Sequence, residues 1–145
     1  MKVVSLNNNA TMEDILLGLP SGKIKKYILT SDNIERLSGI IRLAYKIGQE
    51  KEVYIEVKFN SKYNSRPKRL EIVAKTDNNI EIYKFSKNNN FEKECLDLQR
   101  IINEIKPKTD YCLKGYLVFS SFLEKSNEIV KRINEISTNV SLILE

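Results

Sequence analysis

Apolar residues recur in an unbroken 4-3-4-3 rhythm at Phe91, Cys95, Leu98, Ile102 and Ile105. That spacing returns to one side of a 3.6-residue turn, so it predicts an amphipathic helix. Asn90 is placed to cap it and Pro107 lies just past its end. Upstream the period changes to two. Val53, Ile55, Val57 and Phe59 alternate with Tyr54, Glu56 and Lys58, and Leu70, Ile72 and Ala74 alternate with Glu71, Val73 and Lys75. Alternation at that period predicts strands with one buried face. A chain of 145 residues that carries both rhythms must bury helix stripes against a sheet.

The remaining elements follow the same logic. Asp32 with Glu35 three residues on predicts a helix start, and Ile34, Leu37, Ile41 and Ala44 carry it to Gly48. Asp77, Asn78 and Asn79 tolerate positive φ, which predicts a tight hairpin before a strand over 80–86. A strand over 113–119, a helix opened by Ser121 and Glu124, and a strand over 140–144 form a closing strand–helix–strand unit, for which a parallel crossover is expected. The fold class is therefore α/β: a single domain over 1–145, with a mixed sheet, a central antiparallel meander, a C-terminal strand–helix–strand unit and helices on both faces. Residues 1–30 read as an N-terminal extension to a core over 31–145. Within them lie a strand over Lys2–Leu6, a short helix over Met12–Leu19 stopped by Pro20 and Gly22, and a strand over Tyr27–Thr30.

Composition excludes much chemistry. There is no histidine, so a Ser-His-Asp triad, a His base and a His-ligated metal are all ruled out. The five glycines are too scattered for a phosphate-cradling loop. Two cysteines, Cys95 and Cys112, do not complete a zinc site, and Cys95 on an apolar helix face reads as a buried thiol. No cofactor, catalytic set or metal set is expected. Few cysteines, no secretory signal and no apolar run near the ~20 residues of a membrane span point to the cytoplasm and to no membrane partner.

The net charge is +5, from 24 basic and 19 acidic residues. Residues 58–69, KFNSKYNSRPKR, hold Lys58, Lys62, Arg66, Lys68 and Arg69 and no acid. The other 19 basic residues balance the 19 acids, so this one segment accounts for the whole excess. It joins two expected antiparallel strands and so projects as a basic ribbon. Its cations suit phosphates, and Tyr63 suits stacking on a base or sugar. A solvated loop and an acidic protein partner are the other readings. A second, weaker basic cluster is Lys23, Lys25 and Lys26. Ser120 and Ser121 sit at a strand-to-helix junction, where capping is expected. Tyr111, Tyr116, Phe119 and Phe122 are expected in the core, and Val140–Leu144 suits a buried strand or a subunit interface such as a homodimer.

The element order from Asp32 to Glu145 resembles that of the restriction-endonuclease-like superfamily, in particular its Mrr-type branch. The closing segment KGYLVFSSFLEKSNEIVKRINEISTNVSLILE is similar to the last unit of such domains. The resemblance implies an acid on one strand followed by Glu-x-Lys, holding Mg²⁺ and activating water. Glu56-Val57-Lys58 matches the short motif, but one strand early. Glu81 with Lys84 departs from the spacing by one, and Glu71 stands where the upstream acid is usually Asp. The leading expectation is a non-catalytic protein contacting nucleic acid, without sequence specificity, through Lys58, Lys62, Tyr63, Arg66, Lys68 and Arg69. Two alternatives stay open: a metal-dependent nuclease, and an interaction or assembly module with no nucleic-acid role.

Overall fold

The computed structural model describes residues 3–18, 24–30, 32–36, 39–86, 91–119, 126–136 and 139–144. Its elements run β1 (Val3–Asn8), α1 (Met12–Leu17), β2 (Lys25–Thr30), α2 (Gly39–Gly48), β3 (Glu52–Phe59), β4 (Lys68–Lys75), β5 (Asn79–Phe85), α3 (Phe91–Ile105), β6 (Cys112–Phe119), α4 (Ser126–Ile136) and β7 (Val140–Leu144). The protein is α/β with both parallel and antiparallel strand pairs. It forms two compact units, Met1–Asn78 and Asn79–Glu145.

In the first unit the strands lie in the order β2-β1-β3-β4. β1 runs antiparallel to β2 and parallel to β3, and β3 and β4 form the expected antiparallel hairpin. β1 is one of its two inner strands and β2 an outer one, so these two described segments of the first 30 residues belong to the sheet. Val4 and Leu6 of β1 are buried, and with Val53 they meet the backbone of α2 at Gly48, where an added Cβ would lie 2.5 Å from Val4 Cγ1. α1 covers the opposite face. The Nζ of Lys75, which follows Ala74, the partner of Val53, donates to the Ile15 carbonyl at 3.1 Å. Helices thus cover both faces of this sheet.

Two helix boundaries differ from expectation. α1 ends at Leu17 because Gly18 adopts φ 65 and its N–H turns back to Ile15; Pro20 and Gly22 lie outside the described residues. Its start is a full capping box between Thr11 and Asp14. α2 begins at Gly39 instead of following Asp32 directly. The intervening Ile34–Arg36 is a single 3-10 turn, with Asn33 closed onto Thr30 through backbone and side chain. Leu37 lies outside the described residues.

In the second unit β5, β6 and β7 are all parallel, with α3 and α4 as the crossovers, as the closing strand–helix–strand pattern requires. The stripe on α3 is buried at Cys95, Leu98, Ile102 and Ile105, and is widened by Ile101. Burial raises the Cys95 thiol pKa, whereas Cys112 is exposed at the start of β6. The turn over 77–79 uses no left-handed residue: among the described residues, non-glycine positive φ occurs at Asn9 and Glu56. The caps expected at Asn90 and at Ser121 with Glu124 fall outside the described residues, as do Ser120 and Phe122. No helix is long and apolar enough to cross a membrane, among the described residues.

α3 packs on β6 by close approach at Gly115. A Cβ there would sit 2.8 Å from Leu98 Cδ2, 2.9 Å from Leu98 Cγ and 3.0 Å from Ile102 Cδ1. Leu98 is fully buried, so it has no room to retreat. Gly115→Ala is expected to lower stability by about 1–3 kcal/mol through overpacking, read as a lower urea midpoint. An unchanged midpoint would show that the contact yields freely.

Candidate nucleic-acid interface

The basic segment is the end of the β3–β4 hairpin. Lys58 pairs with Arg69 and Phe59 with Lys68 across the ladder. Phe59 is buried and fixes the register, while Lys58 and Arg69 stand exposed as direct cross-strand neighbours. Like charges set opposite one another disfavour the pair. Among the described residues neither Lys58, Arg66, Lys68 nor Arg69 forms an ion pair.

The connecting loop is built, not merely polar. Ser61 is buried at 9% exposure. Its Oγ accepts the Tyr63 N–H at 3.2 Å, and its carbonyl accepts the Asn64 N–H at 3.3 Å. This hydroxyl-closed turn leaves the Tyr63 ring 77% exposed. The Lys62 ammonium stands 5.1 Å from the ring centroid, within cation–π range. All six expected contact residues thus lie on one hairpin, with Lys68 half-buried and the other five exposed. Sequence reasoning missed Ser61; a Ser two residues before an exposed aromatic is a faint signal for such a turn.

The Glu-x-Lys segment lies on β3 beside this hairpin end. Glu56 and Lys58 are both exposed, and Glu56 adopts φ 50. Asn9, directly after the parallel neighbour β1, adopts φ 66. Asn8 faces Ile55 before these two residues, and Thr11 faces Lys58 after them. The register therefore passes unshifted through a matched pair of left-handed residues. The ladder resumes as the Lys58 N–H donates to Ala10 at 3.1 Å. Glu71 is half-buried. Among the described residues no three carboxylates or cysteines come together as a metal-binding group.

Glu81, on β5 of the second unit, is engaged by phenols. Tyr116 donates to Glu81 Oε2 at 3.2 Å, and Tyr83 hydrogen-bonds to the same residue. Tyr83 and Tyr116 stack with centroids 4.8 Å apart, and Lys114 lies 5.3 Å from the Tyr116 centroid. Of the aromatic residues expected in the core, Phe119 is buried, while Tyr116 and Tyr111 are half-buried. β7 is an outermost strand, with Val140 buried. The side chains of Leu142, Ile143 and Leu144 lie outside the description, as does Lys23 of the second basic cluster. No protein-family model matches the chain, and no curated protein matches its sequence.

Two outcomes follow. Left-handed backbone costs an L side chain about 1–2 kcal/mol, and Glu56 already carries that cost. Glu56→Gly is therefore expected to stabilise by up to about that order, whereas Lys58→Gly on the same strand, with no positive φ to relieve, is expected to destabilise by about 0.5–1 kcal/mol; a Glu56→Gly urea midpoint lowered like that of Lys58→Gly would remove the strain. Burial, and then the Glu81 charge, hold the Tyr83 phenol well above its ordinary range. A raised folded value means that stability is complete below the unfolded phenol value of about 10 and falls as pH rises past it. Tyr83→Phe is expected to flatten that alkaline decline in denaturation midpoints measured from pH 9 to 11.

Proposed function

We propose that this protein binds nucleic acid without sequence specificity and without catalysis, through the β3–β4 hairpin end. The observation that carries the reading is the cross-strand placement of Lys58 against Arg69, beside a Ser61-closed turn that displays Tyr63. The cations supply salt-dependent phosphate attraction, and the phenol ring supplies a sequence-tolerant stacking surface. Such a role fits a cytoplasmic setting.

Contact is preferred to cleavage because Glu56-Val57-Lys58 stands one strand earlier than the motif requires and Glu71 takes the place of the usual Asp. The likeness to the restriction-endonuclease-like superfamily then concerns a scaffold whose cutting machinery has lapsed. The assembly reading would place a second copy on an outer strand, and it expects a stable dimer with no affinity for phosphate.

The test is fluorescence anisotropy with labelled single- and double-stranded DNA and RNA at several salt concentrations. The combined Arg66→Ala, Lys68→Ala, Arg69→Ala variant is expected to weaken binding to every sequence alike. It should also reduce the log–log salt slope by about 2–3, since each phosphate contact contributes about 0.7–0.9. Unchanged affinity in that variant would overturn the proposal. Cleavage of any probe with Mg²⁺, abolished by Glu56→Ala, would favour the nuclease reading instead.

A further inference from the structure

Strand register brings together two basic segments that are 32 residues apart in sequence, counted from Lys26 to Lys58. Lys25 pairs with Asn8 and Lys26 with Asn7, at the C-terminal end of β1. Asn8 in turn pairs with Ile55, just before Glu56 and Lys58 on β3. β2 and β4 both run antiparallel to their neighbours in this sheet, so their N-terminal ends fall at that same end. The strand ends there carry Lys25, Lys26, Lys58, Lys68 and Arg69 against the acids Glu56 and Glu71, with Lys62 and Arg66 beyond in the loop. The opposite end of the same four strands carries Glu52 and Lys75, which cancel. The positive charge of this sheet is therefore polarised along its strands.

Tyr27 adds an exposed ring near the same end of the sheet, on the face of its partner Leu6. Its ring is 46% exposed, and its hydroxyl lies 3.4 Å from Asn8 Nδ2, which donates to it. It repeats the pattern at Lys62 and Tyr63, an exposed phenol ring adjoining lysine. From Lys25 to Lys58 the backbone crosses two strand spacings and about three residues, a separation of roughly 14 Å. An exposed aromatic ring at each side of a basic track suits a strand whose bases are unpaired and free to stack. A duplex keeps its bases stacked inside and offers phosphates alone to such a surface.

We infer that the ligand is single-stranded nucleic acid and that its path runs from the hairpin across the sheet end to Lys25, Lys26 and Tyr27. This rests on the hairpin reading above and adds to it a second contact region and a strandedness. Lys25, Lys26 and Tyr27 bind the backbone and one base, while the hairpin binds the rest.

The experiment titrates the full chain with a labelled oligothymidylate of about 16 nucleotides, the upper site size of sheet-based single-strand binders, and with a duplex of similar length. Lys25→Gln with Lys26→Gln is expected to lower the single-strand salt slope by about 1.4, two contacts at about 0.7 each. Tyr27→Leu is expected to weaken single-strand binding roughly 5- to 100-fold and to leave duplex binding unchanged, while Tyr27→Phe keeps wild-type affinity. Unaltered urea midpoints confirm that these exposed positions act through binding. If the hairpin triple variant weakens binding but the Lys25, Lys26 and Tyr27 variants do not, the extended path is overturned and the hairpin reading stands. If Tyr27→Leu weakens duplex and single strand equally, the strandedness is overturned. Absence of binding by the wild type overturns both readings together.

Discussion

β1 is hydrogen-bonded on both sides, to β2 antiparallel and to β3 parallel, and the first unit depends on that arrangement. Over Leu6–Asn8 both edges of the strand are paired, so its backbone groups there are satisfied within the sheet. It also fixes direction: with β1 set, β3 must run alongside it and β2 and β4 must run against it. Asn7 reinforces the choice from within the core. It is buried at 7% exposure, and its Nδ2 donates to the Val53 carbonyl at 2.9 Å. Buried amides tolerate few registers, because a one-residue slip would strand the donor in apolar surroundings. The polarised charge of the sheet follows from this pairing, since it puts the start of β2 and the end of β3 at the same end of the sheet, with β1 between them.

The helix faces and strand ends then divide the work. Gly48 lets α2 settle onto Val4, Leu6 and Val53, while Lys75 holds α1 to the opposite face through the Ile15 carbonyl. With both faces covered, the accessible backbone and side chains of this unit concentrate at the strand ends and the outer strand. The basic ribbon of the β3–β4 hairpin lies at such an end. Its electrostatic cost is local. Lys58 and Arg69 repel across one rung, and Phe59, buried beside them, contributes the apolar burial that keeps the rung formed.

The elements were legible wherever period and burial agree. The α3 stripe, the β3 and β4 alternation and the closing parallel unit each carry a side-chain rhythm that tertiary packing reinforces. The two misplaced boundaries have a common cause. Gly18 stops α1 through left-handed backbone before Pro20, and Asn33 closes a turn on Thr30 in place of a helix start at Asp32, so in each case a local hydrogen bond overrides the stronger-looking sequence signal. The six hairpin residues were legible because charge and turn composition are written directly in the chain. The role of residues 1–30 was not, because a parallel partner leaves no short-range mark: nothing near Leu6 in sequence points to Val53. The convergence of Lys25 and Lys26 on the hairpin end was hidden for the same reason. Ser61 was hidden because one hydroxyl closing a turn looks like any loop serine.

The matched left-handed residues at Asn9 and Glu56 bear on why this end of the sheet differs from the other. A single left-handed residue in one strand would shift the register or leave a bulge on its partner. Two at the same level bend both strands together, so the Lys58 N–H recovers its bond to Ala10 and the ladder continues. Asparagine accepts that conformation at modest cost, but glutamate has no such excuse in its intrinsic preference. The surrounding pairing must therefore supply the compensation, through the buried rungs Ile55–Ile72 and Val57–Leu70 on either side of Glu56. Strain held by buried rungs is strain the strand end cannot relax on its own. The backbone position of Lys58 is in this way set by the core and not by the loop.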